Sequence, residues 1–208
     1  MLIRGGDEPP LFQNMSKTDT MNKKLRLLVT AECPNKCPMC CNNRFDIGKI
    51  PVVDRFDHDE IMITGGEPLL FTECRNLMIT LKDAALYCGR SVKLYIYTAK
   101  FDIESFCTLA PIADGFVYTP HSQKDVEAFL ELNAFILLHQ KSTDINHLSL
   151  RLNVFPEIRK YIPVNTDLAL WKIKEMQWIK DCPVPDGEDF RRIKNLFSFE
   201  TYNDYVKR

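Results

Sequence analysis

Apolar runs of strand length recur along this chain, and between them lie stretches with apolar residues every three or four positions. The runs at 25–30, 60–64, 92–98, 115–119 and 148–154 read as strands, with a sixth at 173–179. Helical spacing appears at 72–88, where Leu77, Leu81, Ala84, Ala85 and Cys88 share one side and Gly89 is placed to end the helix. It recurs at 103–110, before Pro111, and from 124 to about 133, with an end blurred by apolar residues that continue to Leu138. Strands and helices in this rhythm predict an α/β fold of right-handed βαβ units around a parallel sheet. Six units are too few to close an eight-stranded barrel. The first helix should fall within 41–57, but Gly48 and Pro51 interrupt that segment, so most of it is expected to be loop.

With 208 residues, 45% of them hydrophobic, the chain can bury a sizeable core in one domain. Residues 1–24 mix Gly-Gly, Pro-Pro and charges without periodicity and read as a flexible leader. Residues 25–180 form the expected core domain, and 181–208 a charged extension expected to be helical. Lys and Arg (27) nearly balance Asp and Glu (28), which argues against a charge-driven grip on nucleic acid. No apolar stretch reaches membrane-spanning length and the N-terminus lacks a signal-peptide core, so a cytoplasmic protein with no membrane partner is expected.

Eight cysteines in such a chain suggest metal ligands before disulfides. Cys33, Cys37 and Cys40 have the spacing C-x3-C-x2-C directly after the first strand. A tight loop of this kind lets three thiolates converge on one soft metal centre. Pro34 and Pro38 stiffen it, lowering the entropy lost when the thiolates are ordered. A structural zinc ion is the competing reading, but zinc favours four closed ligands, and His58 is remote while Cys41 adjoins a cysteine already used. Cys74, Cys88, Cys107 and Cys182 are scattered, so no second cluster is expected. After the second strand comes Thr64-Gly65-Gly66-Glu67-Pro68, in which glycines permit close backbone approach and the proline sets the exit direction.

In this order, at the ends of successive strands, the two motifs resemble the radical S-adenosylmethionine (SAM) enzyme superfamily, small single-cluster type. The resemblance covers roughly 25–179 and implies an open, partial (β/α)6 TIM-like barrel. It implies a [4Fe-4S] cluster on Cys33, Cys37 and Cys40, with its fourth iron left for SAM. It also implies that Gly65, Gly66, Glu67 and Pro68 bind SAM's amino group and that Met39 packs near the adenine, where relatives often carry an aromatic.

The later strand ends supply further candidates, because ligands of parallel β/α folds gather at the carboxyl ends of strands. Thr98 ends the third strand at Tyr-Thr-Ala, where many relatives have Thr-Asn-Gly. Thr119, His121 and Ser122 follow the fourth strand and could reach a ribose or substrate; for His121 simple surface exposure is an equal reading. Arg151 and Asn153 alternate with Leu150 and Leu152 on the fifth strand. Turned inward, Arg151 could pair with SAM's carboxylate and Asn153 with its ribose; turned outward, they are a solvated face. Cys41 is either a substrate-facing thiol or a buried one, and Trp171 and Trp178 read as core or lid residues.

The resemblance implies reductive cleavage of SAM to methionine and a 5'-deoxyadenosyl radical that takes hydrogen from a substrate, in an oxidoreductase or lyase reaction. A flavodoxin- or ferredoxin-type protein would donate the electron. Without a second cluster, small-molecule or nucleotide substrates rank first, with a compact glycyl-radical-enzyme activase as an alternative. A cluster- or zinc-binding regulatory protein that turns nothing over is the non-enzymatic alternative.

Overall fold

The computed structural model describes residues 23–35, 37, 40, 46–100, 102–141, 145–177, 179 and 184–194. Seven strands form one sheet: β1 Lys24–Thr30, β2 Glu60–Gly65, β3 Lys93–Thr98, β4 Gly115–Tyr118, β5 Ser149–Val154, β6 Lys172–Glu175 and β7 Glu188–Arg192. Their order is β6-β5-β4-β3-β2-β1-β7, and every pairing is parallel. The first six strands therefore lie in sequence order, with no reversal point between them.

Among the described residues three helices cross between strands: α1 Cys74–Tyr87, α2 Ile103–Leu109 and α3 Gln123–His139. Each owes its limits to local chemistry. Asp102 caps α2 by accepting a hydrogen bond from the Ser105 amide at 2.9 Å. Ser122 caps α3 by accepting from the Asp125 amide, and the Asp125 carboxylate in turn accepts from the His121 amide. Beyond α1, Gly89 takes φ +67°, and the Gly89 and Arg90 amides donate to the Leu86 and Ala85 carbonyls in a Schellman ending. A fourth helix, α4, is the single turn Pro156–Arg159.

All three crossing helices pack on one face of the sheet. Leu77, Met78 and Leu81 of α1, Phe106 of α2 and Phe129, Leu132 and Ile136 of α3 share a core with alternate residues of β1 to β5, such as Leu27, Ile63, Ile96, Phe116 and Leu152. Trp171 joins that core, edge-on to Phe129 at 4.9 Å, with its indole N–H donated to Asn133 Oδ1. The opposite face carries the other alternation, including Leu28, Met62, Tyr95 and Val117. These are buried (2%, 5%, 8% and 2% exposed) although they lie outside the helix-covered core.

Several expectations are corrected. Helix α3 runs past 133 to His139, because Ile136 continues the buried stripe. Strand β6 begins at Lys172 and ends at Glu175, with all four residues exposed. Between β1 and β2, the described residues hold only the 3-10 turn Ile47–Lys49. The extension expected to be helical from 188 is instead β7. Its charges are paired rather than solvated: Arg26 Nε and Nη2 lie 3.1 and 2.8 Å from Glu188 Oε2, and buried His58 Nε2 lies 3.1 Å from Asp189 Oδ2. An edge strand tolerates such a charged composition. The leader up to residue 22, and Met39, Cys41, Trp178 and Cys182, lie outside the described residues. Among the described residues no helix is long and apolar enough to cross a membrane.

Candidate metal and cofactor site

The loop after β1 leaves the sheet at its carboxyl edge and brings Cys33, Cys37 and Cys40 to half-buried positions, all as free thiols. The Cys40 amide donates to the Cys37 carbonyl at 3.1 Å, folding the second half of the motif into a turn. The three thiols lie in one another's electrostatic reach. Burial pushes Cys37 up to about 11, and the charges of Cys40, Cys33 and Asp125 add to this. Burial raises Cys33 too; the Asn35 amide opposes it, Glu67 and Cys40 reinforce it, and Lys100 opposes it again.

Asn35 was not among the residues that the sequence pointed to. Its backbone N–H serves the Cys33 sulfur, while its side-chain Nδ2 is buried without a hydrogen-bond partner. A buried N–H donor with no acceptor costs about 1–3 kcal/mol. A sulfide or thiolate of an iron–sulfur cluster would satisfy it, since N–H donors to cluster sulfurs are a usual second layer of support. Among the described residues no three His, Cys, Asp or Glu side chains stand close enough to hold a single metal ion. Three half-buried free thiols on one loop beside an unused N–H donor could hold a metal centre through sulfur.

The second motif is tied to this loop by backbone. The Gly66 amide donates to the Thr30 carbonyl at 2.8 Å and the Glu67 amide to the Glu32 carbonyl at 2.7 Å. A Cβ on Gly66 would collide with the Glu32 carbonyl oxygen, and one on Gly65 with that of Thr30. The double glycine is thus the surface on which the cysteine loop lies. Gly66→Ala is expected to lower stability by about 1–3 kcal/mol in urea unfolding, because rigid backbone must give way to the new methyl. A variant as stable as the parent would contradict this contact.

Glu67 is 1% exposed, and its carboxylate meets four donors. Oε1 accepts from the Leu69 amide at 3.2 Å and from the Thr98 hydroxyl at 2.6 Å; Oε2 accepts from the amides of Ala99 (3.0 Å) and Lys100 (3.2 Å). Burial raises its carboxyl above the usual range, against the pull of these bonds. A carboxylate offers about four lone-pair directions, and all are used. The side chain therefore clamps the ends of β2 and β3 together, and Pro68 opens the 3-10 turn Pro68–Leu70 just beyond it. Thr98 is buried in the same clamp.

Of the remaining candidates, some approach the loop and some do not. The charge of Asp125, buried at the start of α3, reaches Cys37. His121 lies against Phe155, and burial lowers its pKa while Asp125 raises it. Ser122 is exposed and spent on capping α3. Asn153 donates to the Thr119 hydroxyl at 3.2 Å, near the carboxyl ends of β5 and β4. Arg151 shares its face but turns the other way along the strand: its guanidinium lies over the Tyr95 ring, 5.2 Å from the centroid. Tyr95 is paired with Gly115, whereas Arg151 itself is paired with Val117, two residues nearer the carboxyl edge of the sheet.

The raised Cys37 value has a measurable consequence. Only the thiolate is alkylated, so at pH 8 Cys37 should react with iodoacetamide about 100-fold more slowly than an unperturbed thiol. Its rate should climb about tenfold per pH unit until near pH 11. Mass mapping of the alkylated peptide checks this; a plateau below pH 9.5 would contradict it.

No protein-family model matches the chain, and no curated protein is significantly similar to it.

Proposed function

We propose that the protein is a radical SAM enzyme built on a partial (β/α)6 barrel, with β7 added beside β1. One observation carries the reading: three free thiols sit on one loop whose backbone is bonded directly to Gly66 and Glu67. The two motifs are thereby one site at the carboxyl edge of a parallel sheet, where β/α enzymes place their chemistry.

The barrel reading has its own support. Strands in sequence order with every crossing helix on one face are singly wound, whereas a doubly wound sheet reverses its order and is covered on both sides. The helix-free face still buries Leu28, Met62, Tyr95 and Val117, as a curved sheet does when its inner side chains cover one another.

In this reading Cys33, Cys37 and Cys40 hold a [4Fe-4S] cluster, and Asn35 donates to its sulfurs. A cluster held there would supply the one-electron reduction by which SAM is split into methionine and a 5'-deoxyadenosyl radical. The chain's own part is positioning. The bare faces of Gly65 and Gly66 hold the cysteine loop against this strand end. Backbone carbonyls of the segment would accept from SAM's amino group, while Glu67 fixes the segment instead of binding the ligand through its carboxylate. Asn153 and Thr119 stand where a ribose would reach, and Met39 belongs to the cysteine loop that would flank an adenine. The electron donor is a flavodoxin- or ferredoxin-type protein, and the substrate is a small molecule.

The test is anaerobic reconstitution with iron and sulfide, followed by dithionite and SAM. Formation of 5'-deoxyadenosine by a brown protein is the expected result. A colourless protein that takes up zinc and makes no such product would replace the enzyme by a metal-binding regulator.

A further inference from the structure

Charges on the helix-free face of the sheet are unevenly shared. Toward β7 they are matched: Arg26 is bonded to Glu188, and Lys24 lies 3.6 Å from Glu60. Asp114, whose charge also reaches Tyr95, is committed to Lys82 at 2.5 Å. Across β5 and β6 the balance fails. Arg151 stands opposite Lys172 and Asn153 opposite Lys174 in the parallel register, so three cations share one face. Among the described residues, none of the ion pairs involves Arg151, Lys172 or Lys174.

Arg151 is exposed, yet it rests on a tyrosine that is 8% exposed. The ring takes one face of the guanidinium and leaves its N–H edge available. That edge matches a carboxylate or phosphate with two parallel hydrogen bonds, and the ring fixes its direction in advance. The position is set low on the sheet. Tyr95 precedes the strand-end residue Thr98 by three positions, about 10 Å at strand rise. An acidic group held there would leave the other end of a small molecule directed at the cysteine loop.

We infer that Arg151, flanked by Lys172 and Lys174, binds an oxyanion of the substrate, which makes that substrate a small carboxylic or phosphoric acid. This rests on the enzyme reading above for its word substrate, but the anion site itself does not need the cluster. Arg151 accordingly serves the substrate and not SAM's carboxylate.

The experiment uses the full-length protein without cluster. The arginine Nε–H resonances are followed by NMR while inorganic phosphate or malonate is added at low ionic strength, and Arg151→Lys identifies the Arg151 signal by its loss. A saturable shift of that signal is expected with at least one of the two anions, and the tighter one tells phosphate from carboxylate. The double variant Lys172→Gln/Lys174→Gln should weaken that binding roughly fivefold or more by removing two nearby charges, and Arg75→Gln on α1 should leave it unchanged. No saturable shift with either anion would overturn the inference, as would equal affinity in a double variant whose spectrum shows the native fold. Failure of SAM cleavage would instead overturn the enzyme reading while leaving this resonance shift in place.

Discussion

Replacing Cys37 with alanine is expected to leave a folded protein that neither turns brown on reconstitution nor forms 5'-deoxyadenosine. The thiol is only half-buried and forms no disulfide, so the change removes a ligand without opening a deep cavity. Loss of a residue that merely supports a metal ligand typically costs roughly 10–100-fold, so loss of the ligand itself should cost at least ~100-fold. Cys33→Ala and Cys40→Ala should behave alike. Cys88→Ala, exposed just past the end of α1, should change nothing. Iron content, visible absorption and chromatographic assay of the nucleoside make the comparison. A brown Cys37→Ala protein that still cleaves SAM would end the proposal.

Glu67→Ala should be the most destabilising single change at the site. It takes the acceptor from the half-buried amides of Leu69 and Ala99, and leaves the Lys100 amide and the Thr98 hydroxyl only the bonds they make to each other's residue. Each unsatisfied buried donor costs about 1–3 kcal/mol, and partial relaxation of the β3 end should hold the total to roughly 3–5 kcal/mol. Glu67→Gln keeps the shape and two or three of the four bonds, so about 1–3 kcal/mol is expected there. Equilibrium unfolding in urea separates the two. If Gln and Ala cost the same, the four-donor clamp is not what holds these strand ends. The same pair speaks to function, because a side chain that binds SAM directly would lose activity with Gln while keeping stability.

Much of the architecture could be read before any coordinate. Strands β1 to β5 announced themselves as apolar runs of strand length, which in β4 bury every residue, and α1 and α2 because their buried residues repeat every three or four positions. Strand β7 hid because Glu188, Asp189, Arg191 and Arg192 look like a solvated helix. Glu188 and Asp189 find their partners in Arg26 and His58, more than a hundred residues away, and Arg192 donates to the Ile50 carbonyl. Ser122 could have been recognised as a helix cap from Ser-x-x-Asp ahead of an apolar stripe, instead of as a ligand. For Arg151 alternation showed that it shares a face with Asn153, but neither which face that is nor the direction it leans along the strand. That depends on Tyr95, two strands away across β4. Asn35 gave only a faint signal, as a polar residue inside the cysteine spacing.

Spacing along the chain alone was enough to place three thiols on one short loop and two glycines at the next strand end, since both facts follow from covalent connection and local backbone freedom. Whether the two motifs touch, that Glu67 spends its charge on β3, and that a lone arginine rests on a buried tyrosine were decided by the folded sheet. Those contacts join residues that only parallel pairing across strands brings within hydrogen-bonding reach.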